Sequence, residues 1–186
     1  HSSGSVSESS PESTVRSVAA TTADAWSIEP VASLTIVMLS NSARRMIVSG
    51  SLQALDLVNA TLLARGDTVI IEQDTYQGAL NRLTRLGVNV VGIPLDHEGM
   101  RMDALAKALA DLKDKGITPK YIYTIPTVQN PTGTIMPEQR RTELLKLSQQ
   151  YGVPVFEDDC YADLIWDGKR PPAIHAMDKT GSVIHI

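Results

Sequence analysis

A single cysteine, Cys160, stands among 186 residues, which excludes an intrachain disulfide framework and a zinc cluster built on cysteines. No apolar run approaches the ~18 residues of a membrane-spanning helix. The longest early stretch, Val31–Leu39, is interrupted by Ser33 and Thr35. No positively charged segment precedes it, so it does not read as a secretory signal either. Basic excess is lacking too, with 17 Lys+Arg against 21 Asp+Glu and a formal charge of -4. A protein that grips nucleic acid by its phosphates carries a basic face. The expectation is a chain with no nucleic-acid or membrane partner, placed in a reducing cytoplasm. It begins with His1 and not methionine, a hint that this start is not the natural one.

What is present is enough for one core: a domain's length of chain, 42% hydrophobic. The character changes near residue 46. Before it, His1–Ser27 is rich in Ser, Thr, Ala and Glu, shows little apolar periodicity and reads as disordered. Val31–Leu39 reads as a short strand with nothing nearby to place it. Residues 1–45 are therefore treated as a leader and 46–186 as the domain. From there Leu55, Val58 and Leu62 share a helical face, with Gly66 where a left-handed cap is expected. A strand follows at Thr68–Glu72, then a helix through Tyr76, Leu80 and Leu83 stopped by Gly87, then a strand at Val88–Ile93. Asp103 opens a third helix with Leu105, Leu109 and Leu112 on one stripe. Tyr121–Ile125 reads as a strand, and Pro137 starts a fourth helix carrying Leu144, Leu147 and Tyr151. Val153–Glu157 and Ser182–Ile186 read as the last strands. Strands alternating with helices of this length predict an α/β fold of three layers, a mostly parallel sheet flanked by helices. Ligands of such sheets sit beyond the carboxyl ends of the strands.

Four segments fall at those positions. Ser49-Gly50-Ser51-Leu52-Gln53 opens a helix, where backbone N–H groups and the helix dipole suit a phosphate; a serine-capped helix explains it equally well. Gln73-Asp74-Thr75-Tyr76 places an aromatic after a strand, either to stack on a flat heterocycle or to pack in the core. Asn130-Pro131-Thr132-Gly133 is either a plain turn or a cis X-Pro peptide that aims the Asn side chain. Glu157-Asp158-Asp159-Cys160-Tyr161 sets three carboxylates at the end of an apolar strand, a costly arrangement unless they meet cations or metal. No histidine lies close in sequence to support a metal, and a solvated acidic turn is the ordinary alternative.

In this order and spacing the four segments resemble the large domain of fold-type-I pyridoxal-phosphate enzymes, in the class I/II aminotransferase family. The branch they look most like holds 2-aminoadipate and other broad-specificity aminotransferases, together with the aminotransferase-like domain of GntR-type (MocR) regulators. The likeness covers residues 46–186 and includes Gln53-Ala54-Leu55-Asp56, Pro94-Leu95-Asp96 with Gly99-Met100, and Tyr123 through Gly133. It implies pyridoxal 5'-phosphate as cofactor, amino acids and 2-oxo acids as substrates, and a homodimeric parent. Backbone amides around Gly50, Ser51, Leu52 and Gln53 would hold the phosphate, and Tyr76 would stack on the ring. Asn130 and Tyr161 would reach the ring hydroxyl oxygen. Asp158 would face the pyridine nitrogen and keep it protonated, which makes Asp158 and Tyr161 the catalytic candidates; Glu157 and Asp159 are expected to be structural, and no metal is expected.

Leu52 departs from a glutamine common in relatives, and Asp74 from a proline; residues 1–45 show no likeness at all. The lysine that forms the Schiff base in the family would follow a strand like Ser182–Ile186, so this stretch alone is expected to be inactive. A ligand-sensing domain of a transcription regulator is the second reading, placed behind because the leader shows no periodicity of a winged helix-turn-helix.

Overall fold

Thr-Val-Ile-Ile-Glu at 68–72 is apolar and β-branched without alternation, the pattern of a strand covered on both faces, and all five residues are buried. The computed structural model describes residues 35–39, 44–166 and 168–186. In chain order the elements are β1 (Thr35–Leu39), β2 (Arg44–Val48), α1 (Ser51–Leu62), β3 (Thr68–Glu72), α2 (Gln77–Leu86), β4 (Asn89–Ile93), β5 (Leu95–Asp96) and β6 (Gly99–Met100). Then come α3 (Met102–Asp114), β7 (Ile122–Thr124), α4 (Glu138–Tyr151), β8 (Val155–Glu157), a 3-10 turn (Ala162–Leu164), α5 (Ile174–Met177) and β9 (Val183–His185). No helix among the described residues is long and apolar enough to cross a membrane.

Among these residues seven strands form one sheet, ordered β2-β1-β9-β8-β7-β3-β4, with β5 and β6 a separate hairpin pair. The pairs β9–β8, β8–β7, β7–β3 and β3–β4 are parallel, and β1 runs antiparallel to both β2 and β9. Two reversals cancel, so β2 points the same way as the five parallel strands.

Successive residues of β3 alternate between two apolar clusters, Val69 and Ile71 in one and Ile70 in the other. The first cluster joins Leu55 and Val58 of α1 and Leu83 of α2 to Tyr121, Tyr123 and Phe156. The second joins Leu105 and Leu109 of α3, Leu144 of α4 and Ile174 of α5 to Ile122 and Val155. Side chains of a strand point alternately to its two faces, so this is the expected three-layer sandwich with a core on each side of the sheet. Each fully buried Leu or Ile contributes about 1.5–3 kcal/mol.

Gly87 and Gly152 stop α2 and α4 in the left-handed conformation, where the absence of a Cβ avoids a steric penalty. Gly66 does not cap α1. That helix ends in extended Leu63, whose N–H bonds Asn59 O, and Gly66 lies in the following turn, which the Asp67 carboxylate ties to Ala64 N at 2.8 Å. Pro137 is the residue before α4 and not its first turn. Strand β2 straddles the compositional change at residue 46, with Ile47 68% exposed, and β1 pairs with it from Thr35 to Leu39. The disorder expected of His1–Ser27 lies outside the described residues.

Candidate functional site

Because β2, β3, β7 and β8 share one direction, their carboxyl ends share one edge of the sheet. The structure therefore brings Gly50, Tyr76, Asn130 and Asp158, each from a different segment, to that edge.

After β2 the chain turns at Gly50, whose φ of 86° is a backbone angle that favours glycine. Gly50 precedes α1 and no side chain caps the helix, so the serine cap weighed from sequence is not formed. Gln53 Oε1 instead accepts from Ser49 N at 2.6 Å. The first turn carries no acidic residue, which leaves the positive end of the helix dipole open to an anion. Ser51 is half-buried, and Leu52 and Gln53 are exposed.

Tyr76 immediately precedes α2 and is half-buried against the first apolar cluster, as Tyr161 is. Its ring lies over Gly78, where a Cβ would overlap the ring atoms, so Gly78 is needed for Tyr76 to lie as it does. Beyond β7, the Asn130–Pro131 peptide is cis, and Asn130 Nδ2 donates to the Tyr161 hydroxyl at 3.3 Å. Two expected site residues 31 positions apart thus meet directly.

Asp158 is 2% exposed. Its Oδ2 accepts from the Tyr123 hydroxyl at 2.7 Å, while Oδ1 is buried with no hydrogen-bond partner among the described residues. Burial pushes its carboxyl above the usual range, against hydrogen bonds from Tyr123 and Cys160 that pull it down. A buried acceptor without a donor is costly and is a seat for a charged N–H.

Of the neighbouring carboxylates, Glu157 is satisfied from within the chain, whereas Asp159 is paired through Oδ2 and keeps a buried Oδ1 without a partner among the described residues. Glu157 is fully buried and accepts from Ile174 N at 2.7 Å, His175 N at 2.9 Å and His185 Nδ1 at 2.9 Å. Burial alone would raise its carboxyl, but the His185 hydrogen bond and charge and the two backbone donors bring it below the usual range. The Arg141 guanidinium stands 3.9 Å away. Asp159 takes Arg170 at 2.8 Å. Glu157, Asp159 and His185 place possible ligand atoms within 4.8 Å of one another, a grouping sequence reading missed because His185 lies 28 residues from Glu157. Glu157 is paired with His185 and lies near Arg141, and Asp159 is paired through Oδ2 with Arg170.

Sequence reading also gave no role to Tyr123, Glu72, Gln129 or Arg141. Arg141 is fully buried in α4 and donates to Met136 O, Pro126 O, Thr127 Oγ1 and Pro172 O. It closes the base of the loop that carries Asn130. Only the scarcity of buried arginines marks it, and burial is not visible in sequence.

One edge of a mostly parallel α/β sheet thus carries an open helix N-terminus, a half-buried tyrosine and a buried carboxylate oxygen without a partner among the described residues. The family model "Aminotransferase class I and II" matches residues 32–186, and the chain belongs to that family. It is 42% identical over 141 residues to aromatic-amino-acid aminotransferase 1 of Thermococcus litoralis, covering 76% of this chain and 34% of that protein. It is 38% identical over 141 residues to YisV of Bacillus subtilis, named as an uncharacterized HTH-type transcriptional regulator, covering 76% of this chain and 28% of that one. The crystal structure of Pyrococcus horikoshii kynurenine aminotransferase in complex with PMP superposes with a TM-score of 0.76 at 42% identity, covering 79% of this chain and 36% of that one. The chain spans about a third of the length of these proteins.

Proposed function

We propose that the intact protein is a pyridoxal-phosphate-dependent aminotransferase that moves an amino group between an amino acid and a 2-oxo acid. The observation that carries the reading is the Asp158 carboxylate, buried, anchored on one oxygen by Tyr123 and unpartnered on the other. The residues at this edge fit the cofactor. The backbone amides at Gly50, Ser51, Leu52 and Gln53 would hold its phosphate, Tyr76 its ring face, and Asn130 with Tyr161 its ring hydroxyl oxygen. When bound, pyridoxal phosphate supplies an electron sink for the bonds of an amino-acid α-carbon. Asp158 contributes by keeping a proton on the ring nitrogen, and Tyr123 keeps Asp158 pointed there. The Asn130–Tyr161 contact holds both groups ready for one oxygen.

The same reading makes the protein a homodimer in a reducing cytoplasm; Ile47, Leu52 and Leu57 are exposed apolar side chains on β2 and α1 that a second subunit would cover. The test is a transamination assay on the intact protein with a panel of amino acids and 2-oxo acids, alongside the absorbance of bound cofactor. Cofactor binding without any amino-group transfer would refute it. The identity with YisV supports a second reading, a ligand-sensing domain of a transcription regulator. Specific binding of the intact protein to DNA upstream of its own gene, with no transaminase activity, would select that reading.

A further inference from the structure

We propose that Glu72 is a positioning residue of the cofactor site: through Gln129 it fixes the loop segment that presents Asn130. The proposal rests on the reading of this edge as a pyridoxal-phosphate site.

Glu72 ends β3 and is 1% exposed. Among the described residues no lysine, arginine or histidine pairs with it, unlike Glu157 and Asp159 beside it in the fold. A buried carboxylate without a cation is costly, so its hydrogen bonds show what it is there to hold. All of them go to the end of β7 and the loop beyond. Oε1 accepts from Thr124 Oγ1 at 2.6 Å. Oε2 accepts from Ile125 N at 3.3 Å and from Gln129 Nε2 at 3.0 Å.

Gln129 transmits the hold. Its Nε2 also donates to Asp74 O at 2.6 Å, and its Oε1 accepts from Thr132 N at 2.9 Å and Thr132 Oγ1 at 2.6 Å. Acceptors on one side and donors on the other leave its amide a single orientation. Gln129 is 2% exposed, so water does not replace these partners. Asn130 sits between the two clamped positions, Gln129 and Thr132. Immediately before them Val128 holds φ at 52°, a conformation that a β-branched residue resists and that persists only where neighbours enforce it. Arg141 secures the loop at its base; Glu72 secures it at its tip.

A carboxylate is required because three donors converge on Glu72. A glutamine would keep the shape but turn an NH2 group toward another donor. The experiment uses the intact protein and pyridoxamine phosphate, which binds without a covalent bond to lysine. Glu72→Gln is expected to weaken pyridoxamine phosphate about tenfold, the scale of one lost polar contact, and to alter the absorption and circular dichroism of the bound ring. It is also expected to speed amide exchange across residues 128–134 of the cofactor-free protein, with an unchanged far-ultraviolet spectrum. Thr124→Val removes one hydrogen bond to Glu72 but spares Gln129, and should leave affinity within about twofold. Unchanged exchange in Glu72→Gln, or unchanged affinity and ring spectra, overturns the proposal. Failure of the wild-type protein to bind pyridoxamine phosphate overturns the reading of the site instead, and the exchange measurement still decides the clamp.

Discussion

Acidity at Glu72 gives the most direct check on the electrostatics of this edge. Burial raises its carboxyl from 4.5 to about 7, against the hydrogen bonds from Thr124, Gln129 and Ile125, and the Asp158 charge adds to the rise. A group whose folded pKa exceeds its unfolded value binds its proton more tightly when folded. Its contribution is therefore complete below pH 4.5 and disappears as the pH climbs through 7. The difference of ~2.5 units corresponds to about 3 kcal/mol, a large part of the 5–15 kcal/mol that typically holds a domain together. Asp158 and His185, both raised, give slopes of the same sign, and Glu157, lowered, the opposite one. Subtracting the urea-unfolding free energies of Glu72→Gln from those of the wild type, from pH 4.5 to 8, removes these other slopes. The donor conflict that glutamine creates beside Gln129 shifts the difference curve by a constant and leaves its slope intact. The wild type is expected to lose stability relative to the variant by about 3 kcal/mol across that range. In an Asp158→Asn background the midpoint should move to lower pH. A difference curve that stays flat would refute the reasoning.

In the intact protein Asp158→Ala should leave the fold largely unchanged but slow α-proton removal about a hundredfold or more in single-turnover kinetics, whereas Asp159→Ala should do less; equal losses at both would contradict the role given to Asp158. Arg141→Met strips donors from Pro126 O, Met136 O, Pro172 O and Thr127 and leaves Glu157 without its nearby guanidinium. It is expected to cost about 3–5 kcal/mol in urea unfolding, and a loss under 1 kcal/mol would show those contacts to be expendable. Cys160 is exposed as a residue, yet its thiol is pushed up to about 12 by partial burial of the sulfur and then by the Asp158 charge and hydrogen bond, so maleimide at pH 8 should label it slowly until urea is added. Labelling at the rate of a free thiol would count against that environment.

The helices were legible where their stripes were strict. Leu105, Leu109 and Leu112 are the buried residues of α3 as the spacing requires, and Gly87 and Gly152 stop helices because nothing else relieves the left-handed angle. Strand β2 was not legible, since half-exposed Met46 and exposed Ile47 follow no simple in-and-out pattern. Its partner β1 could be suspected but not placed, because an antiparallel strand inserted between β2 and β9 leaves no local signature. The four site segments were visible as turn chemistry at strand ends. Glu72 was not, because as the last residue of an apolar strand it looked like a boundary marker. What makes it important is Gln129, 57 positions away.

The three consecutive carboxylates show where sequence reasoning reaches its limit and what geometry adds. Glu157, Asp158 and Asp159 are chemically near-identical on paper, and an unbroken apolar strand before them gives no parity to tell their directions apart. In the fold, Val155 belongs to the cluster under α3 and α4, and Phe156 to the cluster under α1 and α2. Continuing that alternation sends Glu157 to the side of Arg141 and the start of α5, and Asp158 to the side of Tyr123. A charge on the first side meets backbone N–H groups and His185; one on the second meets the Tyr123 hydroxyl and Cys160. A carboxylate is thus fully paired within the chain at 157 and keeps one oxygen without a partner among the described residues at 158. Moving the register of β8 by one residue would exchange the two environments. The ladder with β7 prevents this by pairing Val155 with Ile122, Phe156 with Tyr123 and Glu157 with Thr124. The different surroundings of Glu157 and Asp158 therefore rest on strand register as much as on the carboxylates themselves.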